Sequence, residues 1–208
     1  MKEKTGVAVL ASGRGSNFEA LAKACLDADY PAVIKVLVVD SREAGAIAVA
    51  DSFGIECAIV DCGAKNGSMT PESSEKMADI CAERGVGLVC LAGFMRIVKG
   101  ALMTGYRGRM LNIHPALLPG FKGLHAQEQA LAYGVRYSGC TVHFVDEGVD
   151  TGPIIVQRVV PVLDEDTVES LSDRILQEEH QAYPEAVRLW AEGRLRIDGR
   201  RVFIRERA

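Results

Sequence analysis

Short, continuously apolar segments alternate with amphipathic segments along the first half of the chain. The apolar residues that dominate residues 6–12 are typical of a strand buried on both faces of a sheet. Residues 17–28 instead place Phe18, Leu21 and Cys25 on one face of a helix. The same reasoning predicts further strands at 32–40, 56–62, 86–94 and 109–113, and further helices at 43–54 and 71–85.

The pattern changes in the second half, where two strands follow each other with no helix between them. Residues 138–145 and 153–162 predict antiparallel or mixed pairing at this end of the sheet. A long helix is predicted from about Thr167 to Glu192, with Asp166 or Thr167 as its N-cap.

Strands that alternate with helices predict parallel pairing and a sheet covered by helices on both faces. The tail at residues 194–206 adds a hairpin around Asp198 and Gly199. No internal repeat or low-complexity linker divides the chain. We therefore predict one α/β domain over residues 1–208, with a doubly wound, Rossmann-like, mostly parallel sheet and an antiparallel extension.

Composition and charge narrow the class of protein. The 208 residues, of which 48% are hydrophobic and 25% charged, suffice for a sizeable core and are typical of a globular protein. The 24 basic and 28 acidic residues are fairly evenly spread, which argues against a nucleic-acid partner. The N-terminal apolar run is too short for a signal peptide or a membrane span, so we expect a cytoplasmic protein. The six cysteines form no C-x-x-C pair, so neither a metal site nor disulfides are expected.

The first candidate for chemistry is the turn "ASGRGSN" at residues 11–17, between a predicted strand and a predicted helix. Gly13 and Gly15 allow close approach of a ligand to the backbone, and a helix N-terminus attracts phosphate. Phe18 stands where a dinucleotide fingerprint has its third glycine, so the match to that motif fails. This segment is consistent both with a phosphate site and with a plain strand-to-helix turn.

The second candidate is a polar pair at the end of an otherwise apolar strand. Asn112 and His114 flank Ile113, and Pro115 and Pro119 prevent a regular element from continuing. Ligands of doubly wound sheets bind beyond the carboxyl ends of the strands, which favours a functional pair. A capping Asn with a satisfied His is the structural alternative.

The third candidate is the acidic loop "VDEGVDTGP" at residues 145–153. Asp146, Glu147, Asp150 and Thr151 fit ordinary turn chemistry. If the fold brings one of these acids beside His114, the carboxylate favours the imidazolium and raises the pKa of His114 toward neutral pH. The positions of the other histidines in the sequence do not indicate a function for any of them. His143 in particular is consistent with a packed core histidine within a strand.

Five segments of the sequence together resemble one enzyme family. They are "VLASGRGSNFEAL", "LAGFMRI", "MLNIHPALLPGFKGLH", "GCTVHFVDEGVDTGPII" and "EEHQAYPEAV". This set resembles the folate-dependent phosphoribosylglycinamide formyltransferases of purine synthesis, in the formyltransferase family. The spacing agrees as well, because Asp150 follows His114 by 36 positions.

The resemblance implies a catalytic trio of Asn112, His114 and Asp150. In that family the amine of the ribonucleotide attacks the formyl carbon of 10-formyltetrahydrofolate, and a tetrahedral oxyanion forms. Asn112 is then expected to donate a hydrogen bond to the oxyanion. His114, held as imidazolium by Asp150, is expected to stabilise the charge and move protons to the departing folate nitrogen.

The resemblance also assigns residues to the two substrates. Residues 1–100 become the phosphate- or nucleotide-binding half of the domain, and residues 101–208 the folate-binding and catalytic half. Gly15, Ser16 and Asn17 match the phosphate-binding turn, and Gln177 and Glu179 match positions that hold the ribonucleotide. The residues that match the folate pocket, which also takes in the Asn112 of the trio, are Met95, Arg96, Ile97, Val98, Asp146, Glu147, Gly148, Val149 and Asp150.

One segment departs from the family pattern. Between Cys62 and Ser74 the family has an Arg that touches folate, and Thr70 or its neighbours stand there in this chain. Lys65 is the candidate substitute for that Arg.

Related activities remain as alternatives. Methionyl-tRNA formyltransferases share the trio but carry a further RNA-binding domain, and formyltetrahydrofolate hydrolases carry an N-terminal regulatory domain. A non-enzymatic nucleotide-binding module would explain the glycine turn but not the trio. The expected partners are therefore the ribonucleotide and 10-formyltetrahydrofolate, without metal, nucleic acid or membrane, in a monomer or a homodimer.

Overall fold

The computed structural model describes residues 3–63 and 67–206. The chain forms two compact units, Met1–Leu111 and Asn112–Ala208. The boundary between the units falls inside the strand that carries Asn112 and His114.

The first unit alternates strands and helices. Its strands are Thr5–Ala11 (β1), Ala32–Val39 (β2), Cys57–Ile59 (β3) and Leu88–Leu91 (β4), and its helices are Ser16–Cys25 (α1), Ala46–Phe53 (α2), Pro71–Glu83 (α3) and Gly100–Gly105 (α4). β1 pairs in parallel with both β2 and β4, and β2 pairs in parallel with β3. The side chains of β1 from residue 6 onward and of all of β4 are buried, as their continuous apolar pattern predicts.

The second unit begins with the end of one strand and continues with an antiparallel pair. Its strands are Met110–His114 (β5, shared with the first unit), Tyr137–Phe144 (β6), Ile154–Pro161 (β7), Leu195–Asp198 (β8) and Arg201–Ile204 (β9), and its helices are Ala126–Tyr133 (α5) and Val168–Ala191 (α6). β6 and β7 pair antiparallel, and β8 and β9 form a separate antiparallel ribbon. The predicted long helix and tail hairpin are thereby confirmed.

The strand order of the main sheet is β3-β2-β1-β4-β5-β6-β7. This order, with helices on both faces and the antiparallel β6–β7 pair at one edge, confirms the predicted α/β fold. The order reverses direction between β1 and β4, so the carboxyl ends of these two strands flank a position where doubly wound sheets bind ligands.

Three elements differ from the sequence interpretation, among them β4, which was expected over 86–94 and spans only Leu88–Leu91. α4 was not predicted, because its six residues are too few to show a helical period. The third strand is only three residues long, Cys57–Ile59, although an apolar run over 56–62 was expected to form it.

Candidate active site

β5 presents two polar side chains on the same face. Asn112 and His114 are two residues apart, so they project to one side of the sheet while Ile113 is buried on the other. The loop that follows is held by side chains of β6 and β7. Thr141 Oγ1 donates to the carbonyl of Ala116 at 2.7 Å, and Gln157 Nε2 donates to the carbonyl of Leu118 at 3.0 Å. These bonds fix the backbone immediately behind His114.

Asp150 reaches this pair from the loop between β6 and β7. Its Oδ2 lies 3.3 Å from His114 Nδ1 and accepts a hydrogen bond from the Gly123 N–H at 2.8 Å. Its Oδ1 lies 3.4 Å from Asn112 Nδ2. The backbone of Asp150 is left-handed, with φ of 51°, a conformation that Asp tolerates better than most residues. The structure therefore brings the three residues of the predicted trio together.

His114 has an acceptor at each ring nitrogen. Nε2 lies 2.8 Å from the carbonyl oxygen of Phe121, and because a carbonyl only accepts, Nε2 donates. Burial lowers the pKa of His114 below its ordinary value of 6.5, while the Asp150 carboxylate and the Phe121 carbonyl act in the opposite direction. The expectation that Asp150 raises the pKa of His114 is therefore wrong, because desolvation outweighs the carboxylate.

The carboxyl group of Asp150 keeps its charge more easily than an isolated one. Burial tends to raise its pKa, but the nearby His143 ring, the charge of His114 and the Gly123 N–H together hold the pKa below its ordinary value. Asp150 is therefore a carboxylate in the neutral range of pH.

His143 is a site residue that the sequence interpretation missed. It is 2% exposed, with Nε2 at 3.1 Å from Asn112 Nδ2 and Nδ1 at 2.8 Å from the carbonyl oxygen of Phe144. A signal was available, because His143 stands near the carboxyl end of β6 as His114 stands at the end of β5.

The acidic loop owes its shape to Asp146. Its Oδ1 accepts from the Thr151 hydroxyl at 2.5 Å and from the Gly148 N–H at 3.1 Å. Glu147, Gly148 and Val149 are exposed. Asp146 therefore stabilises the conformation of the loop through hydrogen bonds within it. The three exposed residues form the surface that a ligand can contact.

The glycine turn in the first unit leads directly into α1. Gly15 is the N-cap, has φ of 86°, and no side chain caps the helix. The N–H groups of the first turn, which includes Ser16 and Asn17, are therefore placed as in an anion site. A Cβ on Gly15 would lie 2.7 Å from the Cα of Ala46, so the glycine is also required for the approach of α2.

The segment after β4 turns its side chains alternately inward and outward. Met95 and Ile97 are 47% and 38% exposed, whereas Arg96 and Val98 are buried. Arg96 Nε lies 2.6 Å from Asp40 Oδ2, and its Nη1 donates to the Gly63 carbonyl at 3.1 Å. Among the predicted folate-pocket residues of this segment, only Met95 and Ile97 therefore present apolar side chains to solvent.

Four further residues named in the sequence analysis have different outcomes. Lys65 lies outside the described residues. Thr70 is the N-cap of α3, where its hydroxyl accepts from the Ser73 N–H at 3.2 Å. Gln177 is exposed and Glu179 is 6% exposed, and two residues along a helix lie on different faces, so the structure does not bring these two side chains together.

Across residues 3–63 and 67–206, no group of three or more His, Cys, Asp or Glu side chains is placed to hold a metal ion. The described helices include none that is both long and apolar enough to cross a membrane.

Known proteins similar to this chain are named for formyl transfer and purine synthesis. Phosphoribosylglycinamide formyltransferase of Bacillus subtilis is 38% identical over 188 residues, covering 87% of this chain and 92% of that protein. A trifunctional purine biosynthetic protein, adenosine-3, of Drosophila pseudoobscura is 45% identical over 197 residues. This chain spans only 14% of the length of that relative.

The fold and a family model agree with these relatives. The crystal structure of glycinamide ribonucleotide transformylase 1 from Symbiobacterium toebii matches with a TM-score of 0.94 and 46% identity, covering 99% of this chain and 96% of that one. A family model described as formyl transferase matches residues 5–187. Because that model covers most of the chain, and the Bacillus protein is matched over almost its whole length, the chain belongs to the formyl transferase family.

Proposed function

We propose that this chain transfers the formyl group of 10-formyltetrahydrofolate to the amine of 5'-phosphoribosylglycinamide, a step of purine synthesis. The products are the formylated ribonucleotide and tetrahydrofolate. The observation that carries the proposal is the contact of Asp150 with both His114 and Asn112, which joins a carboxylate, an imidazole and a carboxamide at the end of β5. Membership of the formyl transferase family supports the same reaction.

The chemistry follows from the three side chains. Attack of the amine forms a C–N bond and places negative charge on the formyl oxygen, which Asn112 stabilises with an N–H of Nδ2. Burial lowers the pKa of His114 and so favours the neutral ring as the starting form. His114 accepts a proton from the attacking amine and returns a proton to the folate nitrogen as the second C–N bond breaks. Asp150 and the Phe121 carbonyl stabilise the imidazolium between these two steps.

The ribonucleotide is assigned to residues of two kinds. The proposed phosphate ligands are the backbone N–H groups of Gly15, Ser16 and Asn17, since no side chain caps this helix. Glu179 supplies a carboxylate for a ribose hydroxyl or for the glycyl amine. Gln177 remains a proposed ligand, although its side chain lies on the exposed face of α6.

The folate co-substrate is assigned to two segments. From the 95–98 segment we propose that Met95 and Ile97 contribute apolar side chains, while Arg96 and Val98 contribute backbone groups. From the acidic loop we propose Asp146, Glu147, Gly148, Val149 and Asp150, in addition to Asn112 on β5. The proposed reaction takes place in the cytoplasm and needs no metal.

An assay with three acceptors tests the proposal. Purified protein is supplied with 10-formyltetrahydrofolate and either the ribonucleotide, charged initiator tRNA or water alone. We expect formyl transfer to the ribonucleotide, no formylation of tRNA, and hydrolysis slower than transfer. Formylation of the tRNA would favour a methionyl-tRNA formyltransferase, and hydrolysis that the ribonucleotide does not outpace would favour a hydrolase. If no formyl group is released in any of the three assays, the result would favour the non-enzymatic nucleotide-binding module.

A further inference from the structure

The buried ring of His143 has one hydrogen-bond partner at each nitrogen. Nδ1 lies 2.8 Å from the carbonyl oxygen of Phe144, and Nε2 lies 3.1 Å from Asn112 Nδ2. The side chain is 3% exposed, so water is largely excluded from both contacts. These contacts make His143 part of the surroundings of Asn112 rather than a residue of the apolar core.

The carbonyl of Phe144 decides where the proton of the neutral ring lies. A carbonyl oxygen only accepts, so Nδ1 carries the hydrogen of the neutral imidazole. Nε2 is then left with a lone pair, and it needs a donor. The carboxamide of Asn112 can supply this donor only with its nitrogen, because its oxygen would place lone pairs against the lone pair of Nε2.

We infer that His143 is a positioning residue that fixes the orientation of the Asn112 carboxamide. One N–H of Asn112 is held by His143 Nε2. The other is directed toward Asp150 Oδ1 at 3.4 Å, longer than a well-formed N–H···O bond. That second hydrogen is the one that a developing oxyanion can take. This inference rests on the proposed function, since it holds that His143 sets the direction of the hydrogen bond that Asn112 donates in the reaction.

The distances argue against a direct role of His143 on Asp150. His143 Nε2 lies 3.6 Å from Asp150 Oδ1, beyond hydrogen-bond range, and 3.1 Å from Asn112 Nδ2. With Nδ1 as the protonated nitrogen, Nε2 also has no hydrogen to donate to a carboxylate. His143 therefore acts through Asn112.

Three substitutions separate the two contacts of His143. His143→Gln keeps an acceptor at the position of Nε2 but loses the donor to Phe144. His143→Asn keeps a donor at the position of Nδ1 but loses the acceptor for Asn112. His143→Phe keeps the ring and loses both. We expect kcat to fall about 10²-fold in the Asn and Phe variants, as when an oxyanion donor is lost, and clearly less in the Gln variant. KM for both substrates should change little, because an oxyanion forms only in the transition state.

Combination with Asn112→Ala tests the route of the effect. If His143 acts through Asn112, then adding His143→Asn to Asn112→Ala lowers kcat no further. Multiplicative losses, or a Gln variant as slow as the Asn variant, would overturn the inference in favour of a packing role.

A spectroscopic measurement tests the inference without activity. Long-range ¹H–¹⁵N spectra of the wild-type protein should show the neutral His143 ring with its hydrogen on Nδ1, and a hydrogen on Nε2 would overturn the inference. Failure of the proposed function is distinguishable, because it would appear as an inactive wild-type protein with the Nδ1–H ring of His143 intact.

Discussion

At the scale of single residues, the carboxylate of Asp150 contacts both polar side chains of β5. Asp150→Asn keeps a side chain that tolerates the left-handed backbone but removes the charge. Because the carboxylate raises the pKa of His114 against the effect of burial, we expect that pKa to fall further in the variant. We expect kcat to drop by about 10²–10⁴ while substrate affinities stay close to wild type. The measurement is an NMR titration of His114 together with pH–rate profiles.

Asp146→Asn is the matched control for the titration. It removes a carboxylate from the same loop, and its described contacts are with Gly148 and Thr151. An Asp150→Asn variant with the wild-type His114 pKa would contradict the role assigned to Asp150, even if activity were lost.

A charge in the first turn of α1 distinguishes a phosphate site from a plain turn. Gly15 is a poor probe, because any side chain there meets Ala46 and strains the backbone. Ser16→Asp instead stabilises the helix N-terminus slightly and repels a phosphate. We expect the free energy of unfolding to stay level or rise, and ribonucleotide affinity measured by calorimetry to fall at least about tenfold. Ser16→Asn is the neutral control, and an Asp variant that binds ribonucleotide normally would exclude the phosphate site.

At the scale of elements, the start of α6 depends on one capping residue. Thr167 Oγ1 accepts from the Ser170 N–H at 3.2 Å, and Ser170 Oγ accepts from the Thr167 N–H at 3.0 Å. Thr167 is therefore the N-cap, while Asp166, the alternative from the sequence, pairs with Arg174 at 2.7 Å. We expect Thr167→Ala to lower the free energy of unfolding by about 1 kcal/mol. Thr167→Ser keeps the capping hydroxyl, so we expect it to lower the free energy of unfolding much less. Equal urea midpoints for wild type and the Ala variant would show that packing alone holds the start of α6.

At the scale of the whole molecule, stability should depend on pH through the active-site ionisations. A His with a lowered folded pKa binds its proton more tightly when unfolded, so its contribution to stability is present above the ordinary value of 6.5 and is lost as pH falls through the folded pKa. Asp150, also lowered, adds a loss of the same sign below its ordinary value of 3.8.

We therefore expect wild-type stability to decline between pH 7 and 5 more steeply than that of His114→Asn. The slopes of unfolding free energy against pH for the two proteins should differ by no more than about 1.4 kcal/mol per pH unit, the limit for a single proton. Urea unfolding at several pH values measures these slopes. The control is His125→Asn, because His125 is exposed and has a left-handed backbone that Asn accepts. Parallel pH profiles for wild type and His114→Asn would contradict the direction of the His114 shift.

The sequence by itself determined the order and type of most elements and, from local pattern alone, pointed to two of the three residues of the trio. Strand and helix periods are local, so the apolar runs at β1, β2 and β4 predict buried parallel strands without knowledge of the rest of the chain. The polar pair Asn112 and His114 stands out for a local reason too, since it ends an apolar strand and precedes two prolines.

Only the tertiary structure decided which side chains meet. Asp150 lies 36 positions after His114, and the left-handed turn that returns its carboxylate to β5 has no local signature. The orientation of Arg96 toward Asp40, away from solvent, depends on a contact between segments 56 positions apart. The pKa of His114 also depends on burial, which no neighbouring residue in the sequence reports. The sequence predicts a core residue at His143 for the same reason. A pattern of period two identifies the face of a strand on which a side chain lies, but not the residue that it contacts there.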